Sequence, residues 1–291
     1  MSPIITLFCE GKEESLDYRI LQELNPIRSE LKPVGGKSIF NAFIKGFFSS
    51  PQVAQKEYAR AFRDRDFDYL IPDNPVLIED GRFLISYRTT IENYLLDPQI
   101  LFDYICAKGD TRLQSRLPSI LDSENLFREI CAELRFYNAA RWAHGITKSN
   151  TVDKFIFKSS WPHNSGAVPA EIGDSDCRMI LSDILDKVKN KARQLELDIF
   201  EEKYAEFTSK FTTEFVQDID NCLIWFNAKD IASLIHRNLG GNSFFQNGQK
   251  DDYYDFAIEN GYFSKSLENN EFPDLFQLQE ILNGNMPIEP I

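Results

Sequence analysis

Two acidic positions in the first quarter of the chain each follow an apolar run. Glu10 closes the run at residues 4–9 and is followed directly by Gly11, and Asp64 follows the run at residues 58–63. In open parallel α/β sheets, ligands collect beyond the carboxyl ends of the strands, where loops converge. If both runs are strands of one such sheet, the pattern predicts a metal-dependent phosphoryl-transfer site at that edge.

The second acidic position belongs to a cluster in which Asp64, Asp66 and Asp68 alternate with other residues. If this segment is extended, the three carboxylates share one face, because side chains alternate along a strand. A hard cation relieves their repulsion, and oxygen ligands suit Mg²⁺ or Mn²⁺. Glu10 is a further metal ligand and, because Gly11 permits close backbone approach, a candidate general acid or base. The alternative is a solvated turn whose arginines neutralise the aspartates.

A glycine pair marks a candidate anion-binding turn. Gly35, Gly36 and Lys37 precede a predicted helix, where backbone N–H groups and an ammonium could receive a phosphate. Lys12, just after the first predicted strand, could add a second positive charge. The run is too short for a Walker A loop, so it does not predict an ATPase.

Two later positions could complete the site. Glu92 and Asn93 lie at a predicted helix start, and Glu92 would join the carboxylates if the strand at residues 83–87 lies beside the strand that leads to Asp64. Alternatively, Glu92 is a helix-end charge favoured by the helix dipole. Lys229 opens another predicted helix and could approach a phosphate, although a solvated lysine is the alternative.

The elements that must position these residues change in type along the chain. Short apolar runs alternate with helical periodicity up to about residue 97, and helix-favouring periodicity dominates afterwards. This predicts an α/β fold with a mainly parallel sheet flanked by helices and a mostly α-helical second lobe. We predict a catalytic domain over residues 1–100 and a helical domain over 101–291. The predicted strands are 4–9, 31–34, 58–63, 76–78 and 83–85, and the predicted loops are 159–176 and 240–248.

Composition narrows the function classes. Five scattered cysteines and three histidines give no zinc-ligand spacing, and the odd cysteine count favours a reduced cytoplasmic setting. No apolar run approaches the length needed to span a membrane. The net charge of −13 argues against constitutive, nonspecific nucleic-acid binding, so any nucleic-acid substrate must be met locally.

The residues above form a combination that resembles a known family. Glu10-Gly11 after an apolar run, Gly35-Gly36-Lys37, the Asp64-Arg65-Asp66 motif and Glu92 with its neighbours together resemble the Toprim-like nucleases associated with AAA or ABC-type ATPases. The resemblance covers about the first hundred residues. The Lys229 region is similar to that family's later Gly-Lys-Asp element, but Ala228 stands in place of the glycine.

The resemblance implies a function and a set of roles. It implies that Asp64 and Asp66 bind Mg²⁺ and that Glu10 acts in acid/base chemistry. It also implies an anti-phage effector that a partner ATPase holds inactive, and that dimerises on release to cleave host tRNA. Two alternatives remain open: a nuclease that nicks DNA, and a non-catalytic subunit that docks on the ATPase.

Overall fold

The computed structural model describes residues 4–24, 29–50, 58–149, 172–189, 197–239 and 250–286. Five strands form one sheet in these residues. They are β1 (Ile5–Cys9), β2 (Ser29–Pro33), β3 (Ala59–Arg63), β4 (Ile78–Asp80) and β5 (Phe83–Ile85). Their order across the sheet is β2-β1-β3-β5-β4, and every pairing is parallel except that of β4 with β5. The predicted α/β class with a mainly parallel sheet is therefore confirmed.

Helices follow the strands as the periodicity predicted. The α-helices are α1 (Leu16–Glu23), α2 (Lys37–Ser49), α3 (Pro98–Lys108), α4 (Thr111–Arg116), α5 (Ile120–Ser149), α6 (Asp174–Lys189), α7 (Leu197–Lys210), α8 (Ile219–Trp225), α9 (Ala228–Asn238), α10 (Lys250–Glu259), α11 (Tyr262–Glu268) and α12 (Pro273–Leu282). The predicted loop over 240–248 and most of the loop over 159–176 lie outside the described residues.

The chain divides into two compact units. The sheet unit contains the described residues up to Arg65, Ile71–Leu95 and those from Tyr254 onward, and the helical unit contains Asp66–Leu70 and Leu96–Tyr253. Our predicted division at residue 100 placed the end of the chain with the helical part. The residues from Tyr254 onward instead belong to the sheet unit. They join it through contacts between residues distant in sequence, which sequence periodicity does not record.

One hydrophobic core cluster of the sheet unit lies between α2 and the sheet. Phe40 and Ile44 of α2 pack against Phe8, Ala59 and Ala61 from the two central strands. The small side chains of β3 let the helix approach closely, and the helix periodicity brings its apolar residues to one side. This packing fixes β1 and β3, the strands that lead to Glu10 and Asp64.

Side chains of α12 bond two backbone groups elsewhere in the sheet unit. The Gln279 side chain of α12 donates to the Leu24 carbonyl oxygen at 3.0 Å, and Gln277 accepts a bond from the Leu77 N–H at 3.0 Å. These bonds satisfy backbone groups at the end of α1 and just before β4. Helix α12 is therefore part of the scaffold around the sheet.

The helical unit is built around α5, which packs against α3, α6, α7, α8 and α9. Its centre is the fully buried Trp142, whose indole N–H donates to the Trp225 carbonyl oxygen at 2.9 Å. The ring of Phe207 stacks on Trp142 with centroids 5.4 Å apart. A buried tryptophan needs a partner for its N–H, and this bond supplies one.

No helix in the described part of the chain is long and apolar enough to cross a membrane.

Candidate functional site

Glu10 and Asp64 leave the carboxyl ends of two paired parallel strands. Cys9 at the end of β1 lies opposite Phe62 in β3, so Glu10 continues next to Arg63 and Asp64 follows one residue later. Neighbouring strands lie about 4.8 Å apart, so both residues belong to the same short edge of the sheet. Both are partly exposed, whereas the residues that precede them in the strands are buried. This is the placement that the sequence predicted.

A glycine bridge shapes the turn after Glu10. The N–H of Gly11 donates to the Gly35 carbonyl oxygen at 2.8 Å, and the Gly35 N–H donates back to Gly11 at 2.7 Å. Both glycines have positive φ, 91° and 92°. A Cβ on Gly11 would come within 2.2 Å of the Ser15 hydroxyl oxygen. Glycine is therefore required here both by the backbone conformation and by the close approach of α1.

The field around Glu10 is negative. Burial, together with the nearby carboxylates of Asp17 and Glu10, raises the pKa of the Cys9 thiol to about 12. A thiol in this setting stays protonated at neutral pH and is a poor nucleophile. At this edge the carboxylates, rather than the Cys9 thiol, are therefore the candidates for chemistry, and they would attract a cation.

The segment after β3 departs from the extended conformation on which we based the shared aspartate face. The strand ends at Arg63, residues 66–68 form a turn, and Asp66 has a φ of 50°. Asp64, Asp66 and Asp68 nevertheless all remain partly exposed while Arg65 and Phe67 between them are buried. The alternation is produced by two buried anchors in a turn rather than by a β-strand.

Arg65 is the anchor on the sheet side of this turn, a role that the sequence did not reveal. Its side chain is fully buried and donates to the Tyr87 carbonyl oxygen at 2.9 Å and to the Thr89 hydroxyl oxygen at 3.2 Å. Its backbone N–H donates to the Ser86 hydroxyl oxygen at 3.2 Å. Arg65 therefore ties the segment after β3 to the loop after β5.

Asp66 and Asp68 belong to the helical unit, whereas Glu10, Asp64 and Glu92 belong to the sheet unit. The candidate ligands thus fall into two groups, one in each unit. Phe67, between the two aspartates, packs its ring against Trp142 with centroids 5.3 Å apart. No pattern in the sequence indicated that this phenylalanine packs the turn at residues 66–68 against α5.

Glu92 lies in a short 3₁₀ turn, Ile91–Tyr94, that follows β5. Strand β5 pairs in parallel with β3, as the predicted participation of Glu92 required. Glu92 is 9% exposed. The side-chain oxygen of Asn93 accepts bonds from the Thr90 N–H at 3.0 Å and the Thr90 hydroxyl at 2.7 Å, so Asn93 caps the turn.

Asp274 supports the Glu92 turn from α12, and sequence reasoning missed it. Its carboxylate accepts a bond from the Tyr87 N–H at 2.8 Å and another from the Tyr94 hydroxyl. Burial raises the pKa of Asp274 above its ordinary value, an effect that these hydrogen bonds and Arg88 oppose. From sequence alone, an aspartate just after Pro273 indicates only a helix start.

The predicted phosphate-binding residues are spread over both units. Lys12 is exposed in the turn before α1, and Gly36 is the exposed amino-terminal cap of α2. Lys37 is the first residue of α2, but its side chain lies outside the described part of the structure. Lys229 is in the helical unit, where its backbone N–H donates to the Asn227 side chain at 2.9 Å. The structure thus places Lys12 and Gly36 in the sheet unit and Lys229 in the helical unit.

The donor set suits a hard cation that keeps much of its water. Among the described residues, no three His, Cys, Asp or Glu side chains are grouped closely enough to hold a metal ion. Magnesium is usually held by only one or two carboxylates and retains several waters, so it does not need such a group. The partly exposed carboxylates of Glu10 and Asp64 offer the oxygen ligands that this ion prefers.

The chain matches no protein-family model and no curated protein sequence.

Proposed function

We propose that this chain is a Mg²⁺-dependent Toprim-type nuclease and the effector of an anti-phage system. In this proposal it acts in the cytoplasm, is held inactive by an AAA or ABC-type ATPase, and cleaves host RNA, with tRNA as the preferred substrate, as a homodimer after release. The observation that supports the nuclease part is the position of Glu10 and Asp64 at the carboxyl ends of paired parallel strands.

The substrate and the partners come from sequence resemblance. In length and layout the chain resembles AriB, the nuclease effector of the PARIS system, whose ATPase partner is AriA. The net charge of −13 fits an effector that meets nucleic acid only at a local site. It also suits docking against a basic surface of the ATPase.

The proposed roles follow from the chemistry of each side chain. Asp64 and Asp66 would hold the metal with help from Asp68, and Glu10 would hold or accept a proton beside it. When bound, Mg²⁺ orients water and neutralises charge on a phosphate. Glu92 contributes a further carboxylate at the same end of the sheet unit.

The turn after Glu10 supports its assignment as the acid or base. The glycine bridge fixes the backbone directly after Glu10, which keeps Glu10 at the carboxyl end of β1. The Gly36 cap is open, since a Cβ added there would meet nothing within 4 Å. Backbone N–H groups at the start of α2 then offer donors for a phosphate.

The proposal is tested by inducing the wild type, Glu10→Gln and Glu14→Gln in bacterial cells and sequencing RNA ends. Glu14 is an exposed glutamate of the same turn and serves as the matched control. We expect discrete new tRNA ends with the wild type and Glu14→Gln. Loss of a general acid or base should reduce them about 100-fold or more in Glu10→Gln.

Three results would contradict parts of this proposal. Broken DNA with intact RNA would assign the site to DNA cleavage. Equal tRNA cleavage by Glu10→Gln and the wild type would remove Glu10 from the chemistry. No cleavage of either nucleic acid by the wild type, with and without the partner ATPase and infection by phage, would indicate an interaction subunit.

A further inference from the structure

The turn that carries Asp66 and Asp68 is seated on α5 through Phe67. Phe67 is 6% exposed, and its ring meets the ring of Trp142 edge to face. The guanidinium carbon of Arg141 lies 4.3 Å from the centroid of the Phe67 ring. A cation over an aromatic face and an edge-to-face ring pair are both directional contacts. They fix the orientation of Phe67 as well as its burial.

Gly145 lets α5 come into close contact with the backbone of the turn that carries Asp66 and Asp68. A Cβ on this residue would come within 2.2 Å of the Phe67 carbonyl oxygen and 2.5 Å of its Cβ. Glycine is less favourable than alanine inside a helix, so its presence calls for a reason. The reason here is that α5 and the backbone of the acidic turn approach more closely than any other residue allows.

Arg141 is itself held by Asp230. The two side chains form a buried ion pair, with exposed fractions of 4% and 0%. Asp230 is in the first turn of α9, where the Asn227 side chain caps the helix. The orientation of the arginine over Phe67 is thus set by a second helix, and α5 and α9 together determine where the acidic turn lies.

We infer that Arg141 and Gly145 are positioning residues that act through Phe67 on Asp66 and Asp68. This inference rests on the proposed function, in which these aspartates serve as metal ligands. Because they flank Phe67 directly in sequence, a shift of the Phe67 backbone shifts the Cα positions of both aspartates. Asp66 has a φ of 50°, a conformation that aspartate tolerates but that needs support from its neighbours.

The test compares two Gly→Ala substitutions in helices. Gly145→Ala places its Cβ against the Phe67 carbonyl oxygen, whereas Gly46→Ala in α2 places one where nothing lies within 4 Å. The full-length chain and each variant are titrated with Mn²⁺ at physiological salt, and bound metal is followed by electron paramagnetic resonance. Asp66→Asn is titrated in parallel, and folding is checked by circular dichroism and thermal unfolding.

We expect Gly145→Ala to bind Mn²⁺ about tenfold more weakly, as is usual when the support of a metal ligand is disturbed. Gly46→Ala should bind like the wild type, and Asp66→Asn should bind much more weakly. A purely structural role for Gly145 predicts a lower melting temperature with unchanged Mn²⁺ affinity in the folded protein. That result, with Asp66→Asn impaired, would overturn the inference and leave the proposed function standing.

Two further measurements separate the remaining outcomes. If Gly145→Ala does not fold, Phe67→Leu and Arg141→Lys replace it, because each keeps volume or charge but removes the ring or the planar guanidinium. Wild-type affinity in both would overturn the inference. If Asp66→Asn binds Mn²⁺ like the wild type, Asp66 is not a ligand, and the metal site of the proposed function fails together with the inference.

Discussion

The two units each bury an aspartate, but they surround it differently. In the helical unit Asp230 forms an ion pair with Arg141, and in the sheet unit Asp274 accepts hydrogen bonds from the Tyr87 N–H and the Tyr94 hydroxyl. Both are almost fully buried. A buried carboxylate opposite a cation is compensated by Coulomb attraction, whereas one that faces mainly neutral donors is compensated only in part.

This difference shows how each unit supports a segment with predicted site residues. Through Arg141, Asp230 fixes the turn that contains Asp66 and Asp68. Asp274 holds the Tyr87 backbone N–H and the Tyr94 side-chain hydroxyl, on either side of Glu92 in the sequence. The Asp230–Arg141 support is ionic, so removing only one of its two partners strongly destabilises the fold. The Asp274 support tolerates protonation of its carboxyl group.

The largest loss of stability is expected when one partner of the Asp230–Arg141 ion pair is removed. Asp230→Ala leaves the Arg141 guanidinium buried without its counter-charge, which costs about 3–5 kcal/mol of unfolding free energy. Chemical denaturation measures this loss. The control is Lys203→Ala, which removes a partly exposed ion pair with Glu206 and should change stability by less than about 1 kcal/mol.

The double variant Asp230→Ala with Arg141→Met sharpens this interpretation. Because it removes the uncompensated charge, it should be more stable than Asp230→Ala alone. A double variant that is less stable by the sum of both single losses would show that the two side chains contribute independently.

A smaller loss of stability is expected when Asp274 of the sheet unit is replaced. Asp274→Ala removes the acceptor for two donors but leaves no buried charge unpaired, so we expect a loss of about 1–3 kcal/mol. Denaturation under the same conditions as for Asp230→Ala makes the comparison direct. If both substitutions cost the same, the contrast between ionic and neutral support would be wrong.

The smallest expected effect is the pH dependence of stability that arises from Asp274. Its pKa in the folded state lies above the ordinary 3.8, so the folded protein binds this proton more tightly than the unfolded chain. The resulting stabilisation is complete below the unfolded-state pKa and is lost as pH rises through the folded-state pKa. The stability of the wild type relative to Asp274→Asn should therefore fall as the pH rises above about 4. A difference that stays constant over this range would contradict the raised pKa.

The sequence determined the parts of the site that depend on neighbours along the chain. Apolar runs predicted the central strands, because burial on both faces of a parallel sheet requires them. The strand ends then placed Glu10 and Asp64 at one edge, and β5 lies beside β3 as the participation of Glu92 required. Helical periodicity likewise anticipated α1, α2 and α9.

Only the tertiary structure decided which residues hold the acidic segments in place. Periodicity could not show that Asp274 returns to the sheet unit, since hydrogen bonds between distant residues leave no local pattern. Gly145 gave a weak signal as a glycine within a long helix, but its reason is contact with a distant backbone carbonyl. Strand β3 ends at Arg63 because Arg65 and Phe67 contact buried partners that only the folded chain provides.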